Sequence, residues 1–103
     1  MLKRRDAIAI EKAGAFCIVI EGVMSDVAQE ITKAVSIPTI GIGAGKETDG
    51  QVLVWSDMLG FFEEFKPKFV RHYLDGAALV KDAVSTYKSD VQNKTFPSKE
   101  EEY

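Results

Sequence analysis

Residues 38–54 read Pro38-Thr39-Ile40-Gly41-Ile42-Gly43-Ala44-Gly45-Lys46-Glu47-Thr48-Asp49-Gly50-Gln51-Val52-Leu53-Val54. The stretch opens with a short apolar run of β type. Glycine then occupies positions 41, 43 and 45, a polar turn follows, and a second apolar run closes it. Glycine at alternate positions clears one face of a strand end of side chains, so backbone, ligand or a neighbouring strand can approach closely. The spacing is not a dinucleotide fingerprint, because Lys46 stands where the pattern needs glycine and no long helical pattern follows at once. No Gly-Lys-Ser/Thr is present, which excludes a P-loop. From the residues alone, a tight turn between strands and a ligand loop are both open.

On the amino-terminal side, Ser36-Ile37-Pro38 closes a helical pattern that starts at Ser25. Ser25 is expected as its N-cap, with Asp26 in the first turn. Val27, Ala28, Ile31, Ala34 and Val35 give that helix its apolar face. Before it, Ala15-Phe16-Cys17-Ile18-Val19-Ile20 is a continuous apolar run, expected as a strand buried on both faces and ending at Glu21-Gly22. Strand, helix and strand within this span predict a parallel, right-handed βαβ unit. Residues 3–13 predict a leading helix that Gly14 ends.

On the carboxyl-terminal side, Gln51 to Trp55 predicts a third strand, followed by an apolar turn or short helix over Met58–Phe62. Pro67 is expected to start a helix carrying Phe69, Val70, Tyr73 and Leu74. A longer helix is expected from Ala77 to about Asn93, with Leu79, Val80, Ala83, Val84, Tyr87 and Val91 at helical spacing. The acidic tail 98–103 is expected to fray.

These elements predict an α/β fold of about three parallel strands with helices. A closed (β/α)₈ barrel takes about 250 residues, and this chain has 103. The expectation is therefore the C-terminal part of a TIM-type barrel, incomplete as a closed barrel, over residues 1–97. Either a missing N-terminal barrel portion or further copies of the chain must cover its edges.

Composition narrows the function classes. Hydrophobic residues make up 46% and charged residues 28%, which favours a globular chain over a disordered one. A net charge of -3 with no clustered basic surface gives no case for nucleic acid. No apolar run is long enough for a membrane span, and no signal peptide is expected. The lone cysteine, Cys17, excludes an internal disulfide framework and fits a reducing cytoplasm. Cys17 reads as a small core residue and His72 as a surface or interface residue. One histidine without further ligands makes no metal site. Trp55 and the Phe61-Phe62 pair read as core or subunit contacts. Lys46, Glu47 and Asp49 read as solvated turn residues, and Ser56-Asp57 as a cap for the turn that follows.

Ile37 to Gly45 followed by Asp49-Gly50-Gln51-Val52-Leu53-Val54 resembles ketopantoate hydroxymethyltransferase, the 3-methyl-2-oxobutanoate hydroxymethyltransferase family of pantothenate biosynthesis. Glu11-Lys12-Ala13-Gly14-Ala15, Ile18 to Val23, Ile31-Thr32, Asp57-Met58-Leu59-Gly60, Pro67 to Val70, Tyr87, Val91 and Phe96-Pro97 extend the likeness over nearly the whole chain. The resemblance implies a (β/α)₈ barrel of which roughly the last three strands are present. It implies transfer of a one-carbon unit from 5,10-methylenetetrahydrofolate to the small keto acid 3-methyl-2-oxobutanoate, with magnesium holding the keto acid. It implies a proton acceptor at the end of the sixth strand, which here is Glu21. The family's metal ligands lie on earlier strands, so no metal ligand is assigned in this chain and no tight metal binding is expected. Gly43, Ala44 and Gly45 are candidate substrate-binding residues. The resemblance further implies a cytoplasmic homo-oligomer. Ser56 departs from the family pattern where many members have His, as does Glu101 in the ending. A non-catalytic assembly module, or a piece of another barrel that binds phosphate or a keto acid, are the readings that compete with it.

Overall fold

A computed structural model describes all residues, 1–103. The chain divides into two compact units, Met1–Val54 with Pro67–Val70, and Trp55–Lys66 with Arg71–Tyr103.

The first unit holds helix α1 (Arg4–Lys12), strand β1 (Ile18–Glu21), helix α2 (Ser25–Ala34), strand β2 (Thr39–Ile42) and strand β3 (Gly50–Gln51). The sheet order is β1-β2-β3 and both pairings are parallel. Ile18 aligns with Thr39 and Glu21 with Ile42; Ile40 aligns with Gly50. The expected parallel βαβ unit is present, with α2 as its crossover. At the start of α1, the Asp6 carboxylate accepts the Lys3 N–H at 2.9 Å, satisfying a donor that the first helical turn leaves free. The helix stops before Gly14, as its sequence predicts.

One face of the sheet is covered. Ala7 of α1 and Ala28 and Ile31 of α2 close over Ile18 and Ile20 of β1, joined by Val23 and Ala44. Thr39, fully buried, faces the same side, where its hydroxyl meets that of Thr32 on α2 at 2.9 Å. The other face is open. Val19 is 59% exposed, and Phe16, just before the strand, is 88% exposed. The alternation along β1 corrects the expectation of a strand buried on both faces: α1 and α2 lie on one side, and nothing in this unit covers the other. The regular strand also begins at Ile18, later than the apolar run suggests.

Three further expectations need correction. The third strand is Gly50–Gln51 and not Gln51–Trp55. As an edge strand it has a ladder partner on one side only, and after the Val52 N–H reaches the Gly41 carbonyl the pairing ends. Its partner β2 ends at Ile42 and turns away at Gly43, where φ is +63°, so the apolar, β-branched residues after Gln51 have no ladder to join. Pro67 starts a single turn, closed by the Val70 N–H on the Pro67 carbonyl, and no helix follows. Met24, not Ser25, is the N-cap of α2, and no side chain caps it. Ser25 is instead the first helical residue.

In the second unit, α3 (Trp55–Met58) leads through a loop to α4 (Gly76–Gln92). Main-chain bonds from Tyr73 to Met58 and from Gly76 to Leu59 tie the start of α4 to the turn after α3. Lys81 of α4 pairs with Glu63 at 2.6 Å. The Trp55 and Phe61 rings meet edge to face at 5.6 Å, as do Tyr87 and Phe96 at 5.4 Å. These pairs do not make a core: Trp55, Phe61 and Phe62 are exposed, which corrects the core reading of those residues. The expected apolar residues of α4, Leu79, Val80, Val84, Tyr87 and Val91, are exposed too. The tail is ordered into a 3₁₀ turn over Lys99–Glu101, closed by the Ser98 N–H on the Glu101 carboxylate at 2.7 Å. No helix is long and apolar enough to cross a membrane.

Candidate functional site

The strands of a parallel sheet all end at one edge, and the residues there project beyond the helices. β1 delivers Glu21 to that edge and β2 delivers Gly43. The two strand ends are in register, since Glu21 aligns with Ile42 and the Gly22 N–H donates to the Ile42 carbonyl at 3.0 Å. Glu21 alternates with the buried Ile20, so its side chain shares the open face with Val19 and is itself exposed.

The loop after β2 is held from three sides. At Gly43, φ is +63°, and a Cβ there would lie 2.8 Å from the Phe69 ring. At Gly45, φ is +78°, and a Cβ would lie 2.5 Å from the Ser25 Cβ. Both positions therefore combine a left-handed backbone with close approach, a pairing that only glycine meets without strain. The third hold comes from Gln51 on β3. Its Nε2 donates to the Gly45 carbonyl at 2.8 Å and to the Thr48 hydroxyl at 3.0 Å. Thr48 in turn donates to the Gly50 carbonyl at 2.8 Å. The N–H groups of Gly43, Ala44, Gly45 and Lys46 donate to no acceptor in the chain.

Gly43, Ala44, Gly45, Lys46, Gln51 and Phe69 line a cleft of about 260 Å³. Thus the three candidate loop residues lie together in one concavity. Glu21 is on the neighbouring strand end and is not among its lining residues. A larger cleft, about 520 Å³, lies beside α1 and α2 and is lined by Arg4, Ile8, Val27 and Glu30 among others. It is on the helical side, away from Glu21, and its lining mixes long flexible cations with aliphatic groups without a convergent polar set.

The opposite, amino-terminal end of the strands is braced by carboxylates. Asp49 accepts the Thr39 N–H at 2.9 Å and the Thr39 hydroxyl at 3.2 Å, and its own N–H donates back to Thr39 Oγ1 at 3.2 Å. Asp49 thereby joins the starts of β2 and β3, which corrects its reading as a free turn residue. Glu11, on α1, accepts from the Ser36 N–H at 2.8 Å, the Ser36 hydroxyl, and the Ile37 N–H at 3.2 Å. The Ser36 hydroxyl, followed by the Ser36 N–H, holds the Glu11 carboxyl below its usual range. The sequence marked Phe69 and Gln51 only as helix and strand residues and Glu11 only as part of a motif, with no bracing role for any of them. A carboxylate or amide whose partners lie 25 residues away or across a loop leaves no local pattern.

No three side chains among His, Cys, Asp and Glu come together to hold a metal ion. Cys17 is a free, partly exposed thiol, and His72 is exposed.

A family model described as ketopantoate hydroxymethyltransferase matches residues 3–99. The 3-methyl-2-oxobutanoate hydroxymethyltransferase of Aliarcobacter butzleri is 81% identical over 99 residues, covering 96% of this chain and 37% of that protein. The proteins of the same name from a Nitratiruptor species and from Campylobacter concisus are 66% and 63% identical. Each match covers 95% of this chain, with 38% and 36% of those proteins respectively. The chain thus spans little more than a third of the length of the curated relatives it matches.

Proposed function

Because the chain belongs to the ketopantoate hydroxymethyltransferase family, we propose that it is the C-terminal part of a TIM-type barrel enzyme. That enzyme moves a hydroxymethyl group from 5,10-methylenetetrahydrofolate to 3-methyl-2-oxobutanoate. The observation that carries the proposal is the address of Glu21. It ends a parallel strand at the carboxyl edge, on the sheet face that the helices leave open, beside the glycine loop of the next strand. Barrel enzymes build their sites at that edge.

The chemistry asks for a carboxylate there. The keto acid must lose a proton from the carbon next to its ketone, and Glu21 accepts that proton. The resulting carbanion equivalent then attacks the one-carbon unit. A carboxylate serves this step best when enclosure raises its pKa toward the working pH. Such enclosure of the open face belongs to the complete barrel. Gly43, Ala44 and Gly45 contribute backbone N–H groups to substrate or co-substrate. Magnesium belongs to this reading as the ion of the complete enzyme. The carboxylates present here do not converge into a donor set for it, so no step is routed through it. The same reading makes the enzyme a cytoplasmic homo-oligomer, and the chain alone catalytically incompetent.

The test replaces the matching 99 residues of the Aliarcobacter protein with this segment and compares Glu21→Gln with the unaltered graft. Gln keeps the shape but cannot take the proton. Deuterium exchange at the carbon next to the ketone, without folate, should fall by about 10²–10⁴-fold. Keto acid binding should change little. Exchange at the unaltered rate would reduce Glu21 to a strand terminator and remove the basis of the proposal.

A further inference from the structure

We propose that Gln51 is a positioning residue for this site: it fixes the Gly43–Lys46 loop so that its N–H groups face a ligand oxygen. The inference rests on the reading of the loop as part of a hydroxymethyltransferase site.

A buried or half-buried loop ordinarily pairs its backbone groups, because an unpaired donor away from water costs as much as a lost hydrogen bond. Here four successive N–H groups, Gly43 to Lys46, have no acceptor in the chain; Gly45 and Lys46 are exposed to water, but Gly43 is half-buried and Ala44 fully buried. The loop is nevertheless held in one shape. What holds it acts on carbonyl and α-carbon atoms: the Gln51 amide on the Gly45 carbonyl, the Phe69 ring on Gly43, and the Ser25 Cβ on Gly45. Anchoring through the carbonyl while the donors stay free suits a loop that must accept an oxygen-bearing ligand without rearranging.

Gln51 is the one polar anchor among the three. Both of its amide hydrogens are committed, one to the Gly45 carbonyl and one to Thr48 Oγ1. Thr48 is itself nearly buried and tied to Gly50. No shorter or acidic residue makes both bonds. The amide lies on β3, whose neighbour β2 carries the loop, so the link runs from one strand end to the next strand's ligand loop. The oxygen recognised belongs either to the keto acid carboxylate or to the carboxylates of the folate co-substrate.

The test uses the grafted enzyme described above, with Gln51→Met and Gln51→Glu. Methionine keeps the side-chain length and removes both donors. KM for one of the two substrates should rise about tenfold, the loss of one to two net hydrogen bonds, while kcat stays within about twofold. Whichever KM moves identifies the carboxylate that the loop binds. In Gln51→Glu the ionised carboxylate faces the Gly45 carbonyl and repels it. On protonation it regains one O–H donor, so its KM penalty relative to the unaltered graft should shrink as pH falls from about 6 toward about 4, through the ordinary glutamate range, whereas that of Gln51→Met should not. Unchanged KM values for both substrates overturn the proposal, as does a fall in kcat alone or a Gln51→Glu penalty that ignores pH. Wild-type deuterium exchange in Glu21→Gln would instead defeat the reading of the site. The two failures are therefore separable.

Discussion

Gly45 shows how little room the candidate loop leaves at the residue scale. Its φ of +78° disfavours any residue with a Cβ. The added methyl would lie 2.5 Å from the Ser25 Cβ and 3.1 Å from the Ser25 Cα. The second contact is with backbone, at the first turn of α2, so a rotamer change cannot relieve it. Gly45→Ala should therefore destabilise the first unit by roughly 2 kcal/mol or more, combining left-handed strain with overpacking. Urea unfolding followed by far-ultraviolet dichroism measures this. A midpoint equal to wild type would mean that the loop yields freely, and with it the idea of a preformed ligand loop would fail. The glycine spacing was legible in the sequence. The reason for the glycine at 45 was not, because Ser25 is 20 residues distant in the chain.

At the scale of elements, the Glu11 clamp joins the end of α1 to the chain that enters β2. Three donors converge on one carboxylate oxygen, two of them main-chain N–H groups that would otherwise be free after α2. The bonds favour the ionised form, so the folded-state pKa lies below the ordinary glutamate value of 4.5. The sign follows directly. The clamp contributes fully above the unfolded pKa, and its contribution is lost as pH falls through the lower folded value. The stability difference between wild type and Glu11→Gln should therefore be largest near about pH 6 and shrink toward about pH 3. Urea midpoints across that range decide it. A difference that grows on acidification would show that the carboxylate is not held in its charged form. β3 illustrates the opposite limit of element-scale reading. Val52, Leu53 and Val54 have strand composition, yet the regular ladder stops at Gln51 because its one partner, β2, ends at Ile42 and turns away at Gly43.

For the whole molecule, the exposed apolar surface is the dominant feature. Phe16 and Val19 stand open on or beside the uncovered sheet face of the first unit. In the second unit, α4 leaves Leu79, Val80, Val84, Tyr87 and Val91 exposed. Apolar surface on this scale draws partners, and an uncovered sheet edge invites further pairing. The chain should self-associate at micromolar concentration. Sedimentation velocity should show species heavier than the 11.4 kDa chain. A single folded species at the mass of one chain would contradict the prediction.

Sequence by itself determined the order of the first elements, the parallel βαβ unit, the end of α1 at Gly14 and the arrival of Glu21 at a strand end. These follow from local periodicity and turn chemistry, which act over a few residues. The proton-acceptor role proposed for Glu21 rests on the resemblance, because position alone does not tell a base from a strand terminator. Only the tertiary structure decided which face of β1 is covered, where β3 stops, that Pro67 begins a turn, and that Asp49, Glu11 and Gln51 are braces. Each of those depends on groups distant in the chain: a neighbouring strand, a helix packed on one side, or a carboxylate reaching a remote N–H. Burial and hydrogen-bond pairing are properties of what lies opposite a residue, and the linear pattern carries no record of it.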